Sequence, residues 1–296
     1  MRKKESPQEN PRAEMPFLDH LEELRWRVFK ALIAVGIGTV VGLFLVLQLG
    51  AMDLLVAPLD RVLTDLAGEV DPTVLGGMAE SHRLFFLAPT EAFFFMLKLG
   101  LLVGLIISSP FVIWQIWAFL SPALKSHEKK VVIPSLYMGV VLFAAGVSMA
   151  YVVALPVTLK FLLMFGMEWF TPAITAGFYL SFVVRLLLAF GILFELPVVV
   201  MILSVMGLAT PAFLREKRRH AIVIITVAAS FLSPGDFVLL TVMMMVPLIL
   251  LYELSILLSA LVYRKREQRI MEPGGPAQGA VETEAKRDGD RWRLTG

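Results

Sequence analysis

The sequence predicts an all-α fold: a polytopic membrane protein of six transmembrane helices with both termini on the inner side. Three observations carry that prediction. The first is a set of long apolar runs. Residues 31–52, 99–124 and 131–159 hold no charge, and 170–214, 221–235 and 237–263 hold only Arg185, Glu195 and Glu253. A bilayer core ~30 Å thick needs about 20 mostly apolar residues to cross it as a helix. In lipid a helix satisfies its own backbone hydrogen bonds. The second is composition: 57% of residues are hydrophobic and 18% charged, where soluble domains carry about a quarter charged. The third is the placement of Lys and Arg, which mark the cytoplasmic side when counted in short loops. Of these residues 21 fall before span one, after spans two and four, and after span six, against three (Arg61, Arg83 and Lys160) on the other side.

Residues 1–14 are polar and read as a mobile tail. From Pro16 an amphipathic helix is expected, with Phe17, Leu21, Leu24 and Val28 on one face. Such a helix would lie in the cytoplasmic interface before the chain turns into span one. The first apolar run is too long for the h-region of a signal peptide, so it is expected to remain as a span. Within it Gly38 and Gly42 form a small-xxx-small pair suited to close packing, read as a contact with a neighbouring helix of the same chain. Residues 50–90 form the longest outside segment, expected as short amphipathic helices broken by turns near Asp71-Pro72 and Gly76-Gly77. Glu91 and Lys98 open span two on one helical face.

Pro110, Pro156, Pro197 and Pro247 fall inside or at the ends of spans. Each removes a helix hydrogen bond and can bend its helix, which suggests a kinked, concave bundle. Span five has only residues 221–232 before Ser233-Pro234-Gly235-Asp236. That is roughly 18 Å of helix, short of the membrane core, so Asp236 is expected at or beneath the far interface. Three regions follow: a polar tail over 1–14, one transmembrane domain over 15–265, and a charged, disordered cytoplasmic tail over 266–296.

Candidate functional residues are few. The chain has no cysteine, which excludes disulfides and thiolate chemistry. Its four histidines form no metal-ligand spacing, and no cofactor is expected. Glu195 lies in the middle of span four, followed by Leu196-Pro197. An ionisable group at that depth costs several kcal/mol and must face protein or water. It reads as a helix-docking or translocation site, against a structural glutamate satisfied within the chain. Arg185 lies near the depth of Glu91 and Lys98, where a charge cluster competes with simple snorkelling to the interface. Glu22, Glu23 and Glu128 stand on the basic inner surface and can each accept a guanidinium. On physics alone the plainer readings are favoured: a surface pair of Glu23 with Arg27, and a solvated loop charge at Glu128.

Three motifs are more specific. Residues 17–27, FLDHLEELRWR, resemble the N-terminal H-L-x-E-L-R-x-R motif of the TatC family. Residues 109–130, SPFVIWQIWAFLSPALKSHEKK, resemble that family's first cytoplasmic loop, and 190–197, FGILFELP, its fourth span. TatC is the receptor subunit of the twin-arginine protein translocase. The resemblance runs from Pro16 to Lys265 and implies a cup of six kinked helices with a short final hairpin, and no enzyme activity. It implies recognition of folded cargo through paired arginines in a signal peptide. It also implies assembly with single-span partners of the TatA and TatB types, and transport driven by the proton-motive force. By position, Glu23 and Glu128 fall where the family binds the arginine pair, with Arg25, Phe119 and Pro110 on supporting motif positions. Glu195, with Pro197, falls on the polar site of helix four associated with partner contacts. Pro58 and Asp236 match further motif positions in outer segments. Where some relatives carry a glutamine near the start of span six, this chain has Leu240.

The resemblance implies a bacterial or archaeal cytoplasmic membrane as location, and no nucleic acid among the partners. The competing reading is an ion-coupled small-solute transporter using Glu195, Arg185 and Lys98. Transporters usually carry internal repeats with paired broken helices, and none relates the two halves of this chain. An intramembrane hydrolase is disfavoured, since no histidine lies inside a span.

Overall fold

The structure, a computed structural model, describes residues 17–69, 84–120, 129–165, 173–232 and 238–271. They are almost entirely helical. The helices are α1 (Phe17–Gln48), α2 (Ala51–Glu69), α3 (Pro89–Leu120), α4 (Lys129–Met149), α5 (Leu155–Met164), α6 (Ala176–Leu193), α7 (Leu196–Val205), α8 (Pro211–Glu216), α9 (Arg218–Leu232) and α10 (Val238–Met271). Among the described residues five helical stretches are long and apolar enough to cross a membrane: His20–Gln48, Pro89–Leu120, Pro134–Met164, Ala176–Val205 and Met244–Leu261. The remaining expected span is α9, whose 15 residues reach about 22 Å. Large apolar side chains such as Ile37, Phe44, Phe94, Val141, Ile224 and Leu250 are exposed, as lipid-facing positions must be.

The chain packs as two compact units, Met1–Lys125 with Leu163–Val184, and Ser126–Leu162 with Arg185–Gly296. In the first, α1 and α3 run antiparallel in close contact along their lengths. The cause is glycine on both sides. A Cβ on Gly38 would stand 2.6 Å from the carbonyl oxygen of Gly104, and one on Gly104 would strike the Gly38 carbonyl carbon and the Thr39 nitrogen. Gly42 meets Gly100 in the same way. The expected neighbour of the Gly38/Gly42 pair is thus α3 of the same chain, which carries its own matching pair.

One expectation for this unit needs correcting. The amphipathic segment near Phe17 and span one form one continuous 32-residue helix, with Leu21, Leu24 and Val28 exposed. Nothing in the sequence between them breaks the helix: the stretch holds neither proline nor glycine until Gly36. The segment after α1 begins with one helix, α2. Pro58 sits inside it without ending it. Leu55, Leu59, Val62, Leu63 and Leu66 make its buried face, and the Tyr179 hydroxyl donates to the Leu55 carbonyl at 2.8 Å. The turns expected near 71–77 lie outside the described residues. A single parallel bridge joins Phe85 to Thr175, with Phe85 N–H donating to Ile174 at 3.2 Å and Ala176 N–H donating to Phe85 at 2.7 Å.

In the second unit, α4 passes through a π-helical turn, Ala150–Ala154, into α5. Pro156 follows that turn directly, and a proline leaves a carbonyl unpaired in the turn before it. α4 packs against the junction of α6 and α7 by interlocking glycine and phenylalanine. Gly146 faces the Phe190 carbonyl and the Phe194 ring, and Gly191 receives the edge of Phe143. α10 lies against α7, α8 and α9, with Leu248, Leu251 and Ile256 buried. It runs to Met271; the sequence beyond lies outside the described residues.

Candidate functional site

Glu23 occupies the second turn of α1. Its Oε1 accepts from Nε of Arg27 at 2.9 Å and also from Nη2 of Arg27, the i,i+4 pair that the spacing predicts. Its other oxygen behaves differently. Oε2 is buried and has no hydrogen-bond partner among the described residues. Nδ1 of His20 lies 3.9 Å from it, beyond hydrogen-bond range. The His20 ring stacks on Phe119 with centroids 4.4 Å apart and planes 15° apart. The antiparallel α1–α3 pairing therefore brings Glu23, His20, Arg27 and Phe119 to one end of the hairpin.

Sequence reasoning gave His20 no role. The signal available was its place three residues before Glu23, but its aromatic partner is 99 positions away and became visible only with the register of α1 on α3. Arg25 is exposed and outside this cluster. Pro110 lies lower on α3 and is also exposed. Lacking an N–H, it leaves the Ile106 carbonyl free. The Ser109 hydroxyl donates to that carbonyl at 2.7 Å, so α3 continues unbroken through Leu120. Glu128 lies outside the described residues, as does Asp236. Pro58 is buried in α2, far along the chain from the Glu23 cluster.

The second candidate is Glu195. The chain breaks helical form at Phe194 and Glu195, between α6 and α7. Glu195 is the N-cap residue of α7, with Pro197 in the first turn. Its carbonyl accepts from Val198 and Val199, each at 3.0 Å, while its N–H reaches Ile192 at 3.1 Å. The side chain makes no cap hydrogen bond, and Oε1 is buried without a hydrogen-bond partner among the described residues. Glu195-Leu196-Pro197 thus stands at a helix break, with one carboxylate oxygen unsatisfied among the described residues. A buried acceptor in that condition costs about 1–3 kcal/mol, and a donor arriving from outside would recover it.

Glu91, Lys98 and Arg185 resolve differently. Glu91 uses both oxygens on backbone N–H groups, Oε2 on Leu87 at 2.7 Å and Oε1 on Gly177 at 2.8 Å. It ties the starts of α3 and α6 together beside the Phe85–Thr175 bridge. Lys98 and Arg185 are exposed, the condition expected of snorkelling side chains.

The sequence signalled none of the anchors of α10. The Tyr252 hydroxyl donates to the Leu214 carbonyl at 2.7 Å. Arg218 Nη2 meets Glu253 Oε2 at 2.6 Å. Ser204 and Ser259 hydroxyls pair at 2.7 Å in a buried contact. Glu253 thus holds the start of α9, which explains a charge inside an apolar helix. No group of three or more metal-ligating side chains occurs among the described residues.

Comparison with known proteins gives consistent matches. The sequence model of a family described as "Sec-independent protein translocase protein (TatC)" matches residues 19–247. The chain is 37% identical over 256 residues to the Sec-independent protein translocase protein TatC of Aquifex aeolicus (strain VF5), across 86% of this chain and 98% of that protein. It is 34% identical over 251 residues to the protein of the same name from Carboxydothermus hydrogenoformans, across 85% and 95%. A crystal structure of the twin arginine translocase receptor TatC superposes with a TM-score of 0.66 at 38% identity, covering 82% of this chain and 99% of that one.

Proposed function

Since the chain belongs to the TatC family, and so is a multi-pass, non-enzymatic component of a Sec-independent protein translocase, we propose that it is the signal-peptide receptor of that machine. It binds the paired arginines of twin-arginine signal peptides on folded cargo. It assembles with TatA- and TatB-type single-span proteins, and the proton-motive force drives export. It sits in the cytoplasmic (inner) membrane of a prokaryote with both termini inside.

The observation that supports this reading best is the buried Oε2 of Glu23, unpaired among the described residues. One oxygen of the carboxylate is held by Arg27, which fixes the side chain, and the other is free to take an N–H from an incoming guanidinium. His20, stacked on Phe119, walls that oxygen on one side. Glu128, on the segment following α3, supplies the second carboxylate, so that each arginine of the pair has one partner. Arg25 and Pro110 support the motif. The direct test is capture of the purified protein by a signal-peptide fusion. An Arg-Arg sequence retains it and a Lys-Lys sequence retains far less, because an ammonium lacks the planar fork that pairs with a carboxylate. Equal capture by both would remove the proposal.

Orientation is tested on the same protein, which has no native cysteine to interfere. Single cysteines at Ser126 and Thr73 are expected to react with an impermeant reagent from opposite sides of the membrane.

Glu195 is assigned to a partner's transmembrane helix, with Pro197 at the helix break, and Pro58 and Asp236 contribute from the outer segments. A hydroxyl or amide at mid-depth can reach Oε1 of Glu195, whereas carrying a charged arginine pair that deep costs several kcal/mol. Interhelical hydrogen bonds in membranes give ~0.6–2 kcal/mol. Glu195→Ala should therefore weaken partner crosslinking about 3- to 30-fold, with peptide binding nearly intact, and Glu195→Gln should be milder. Loss of peptide binding with unchanged partner crosslinks would reverse the assignment.

A further inference from the structure

A trough with a volume of about 460 Å³ lies along the lipid-facing side of the α1–α3 pair. Its origin is the close packing of these helices. Gly38 and Ser108 are small and buried, so the seam between the helices is low. Ile33, Ile37 and Val41 on α1 rise on one side, and Ile107 and Phe111 on α3 on the other, all well exposed. The one hydroxyl in the floor, on Ser108, is spent on the Leu105 carbonyl at 3.3 Å. The floor and walls are therefore apolar, while one end is not. Lys30 lines the trough at its N-terminal end, is exposed, and makes no ion pair among the described residues. One turn before it stands Trp26, 56% exposed and edge-on to Phe29. Tryptophan in such a position marks the level of the headgroups.

We infer that this trough is a binding site for one anionic phospholipid. An acyl chain lies along the seam, and the phosphate rests on the Lys30 ammonium. From Lys30 to Val41 the trough follows about 16 Å of helix, the span of one chain within one leaflet of a core ~30 Å thick. Charge selects the occupant: an apolar slot closed at the interface by one unpaired cation suits an anionic amphiphile better than a zwitterionic one. It also suits such a lipid better than a purely apolar helix, which would leave Lys30 without a partner. The neighbouring cation, Arg27, is already held by Glu23, so the headgroup does not compete with the signal-peptide site.

The test is native mass spectrometry of the full-length protein with dioleoyl phosphatidylglycerol or dioleoyl phosphatidylcholine added to detergent. The wild type should retain one phosphatidylglycerol in preference to phosphatidylcholine by about fivefold, the preference that one Lys near an anionic surface confers. Lys30→Gln should bind both lipids equally, and Lys30→Arg should restore the preference. Ala34→Trp, which fills the slot beside Ile37, should lose both lipids while leaving Lys30 in place. An unchanged preference in Lys30→Gln overturns the proposal, as does undiminished binding to Ala34→Trp. A photo-crosslinking residue at Ile37 distinguishes the other occupant. Lipid adducts in membranes support the site, and a protein adduct would make the trough a helix-docking surface instead.

Discussion

Glu23→Ala combined with Glu128→Ala should lower the affinity for a twin-arginine peptide by about 100-fold. Hydrogen bonds to charged groups contribute ~1.5–3 kcal/mol each. Glu23 is only partly buried and both carboxylates are proposed for the membrane–water interface, so the lower end applies, which is about tenfold per lost partner. The Glu23 change also releases Arg27 from its pair and leaves an unpaired cation facing the ligand. Each single variant should therefore fall about tenfold, with Glu23→Ala the more severe. A peptide with one arginine should be hurt less by one lost glutamate than a peptide with two. Glu22→Ala is the control: it removes the same charge from the neighbouring residue, which is exposed and outside the cluster. Because the contacts are near water, binding of the wild type should weaken with salt. The measurement is peptide affinity by fluorescence anisotropy, beside a check that each variant inserts and purifies normally. Unchanged affinity in the double variant would defeat the assignment.

Gly104→Leu should prevent α1 and α3 from packing and should cost most of the folded yield. Added methylenes in a well-packed core typically cost about 1–3 kcal/mol. Here the obstruction is more severe, since the atoms in the way are the backbone of Gly38 and Thr39, which cannot rotate aside. The helices would have to separate, and the separation would carry Phe119 away from His20. Surviving protein should therefore also bind signal peptide poorly. Gly36→Leu serves as control, because a Cβ there meets nothing within 4 Å. It faces lipid, and replacing a helical glycine favours the helix. Thermal unfolding in detergent and protease resistance would compare the two. Equal stability of Gly104→Leu and Gly36→Leu would mean that the glycine contact does not hold the hairpin.

The spans were legible because transfer of apolar side chains into lipid is additive along the chain. Any 20-residue window reports it without knowledge of its neighbours. Glu195 was legible for the same reason: one carboxylate in such a window stands out, and the following Pro197 marked a place where the helix can bend, which is where α6 gives way to α7. Residues whose partners are distant were not legible. Glu253 looked like a blemish in span six until Arg218 was found beside it. Glu91 looked like half of an outer charge cluster until its oxygens were found on two backbone N–H groups, one of them 86 residues away. Gly100 and Gly104 drew no attention in a run of leucines, although they match Gly38 and Gly42.

By itself the sequence determined that this is an all-helical membrane protein, where its spans lie, and which carboxylates stand against an apolar or basic background. These are properties of single residues in their local solvent. Only the tertiary structure decided which helix faces which, that α1 is one rod from Phe17 to Gln48, and that Glu23 keeps one oxygen paired and one without a partner among the described residues. Those outcomes depend on register. Gly38 opposite Gly104 places His20 opposite Phe119, and a one-turn slip, about 5.4 Å, would part them while leaving every local preference of the sequence satisfied.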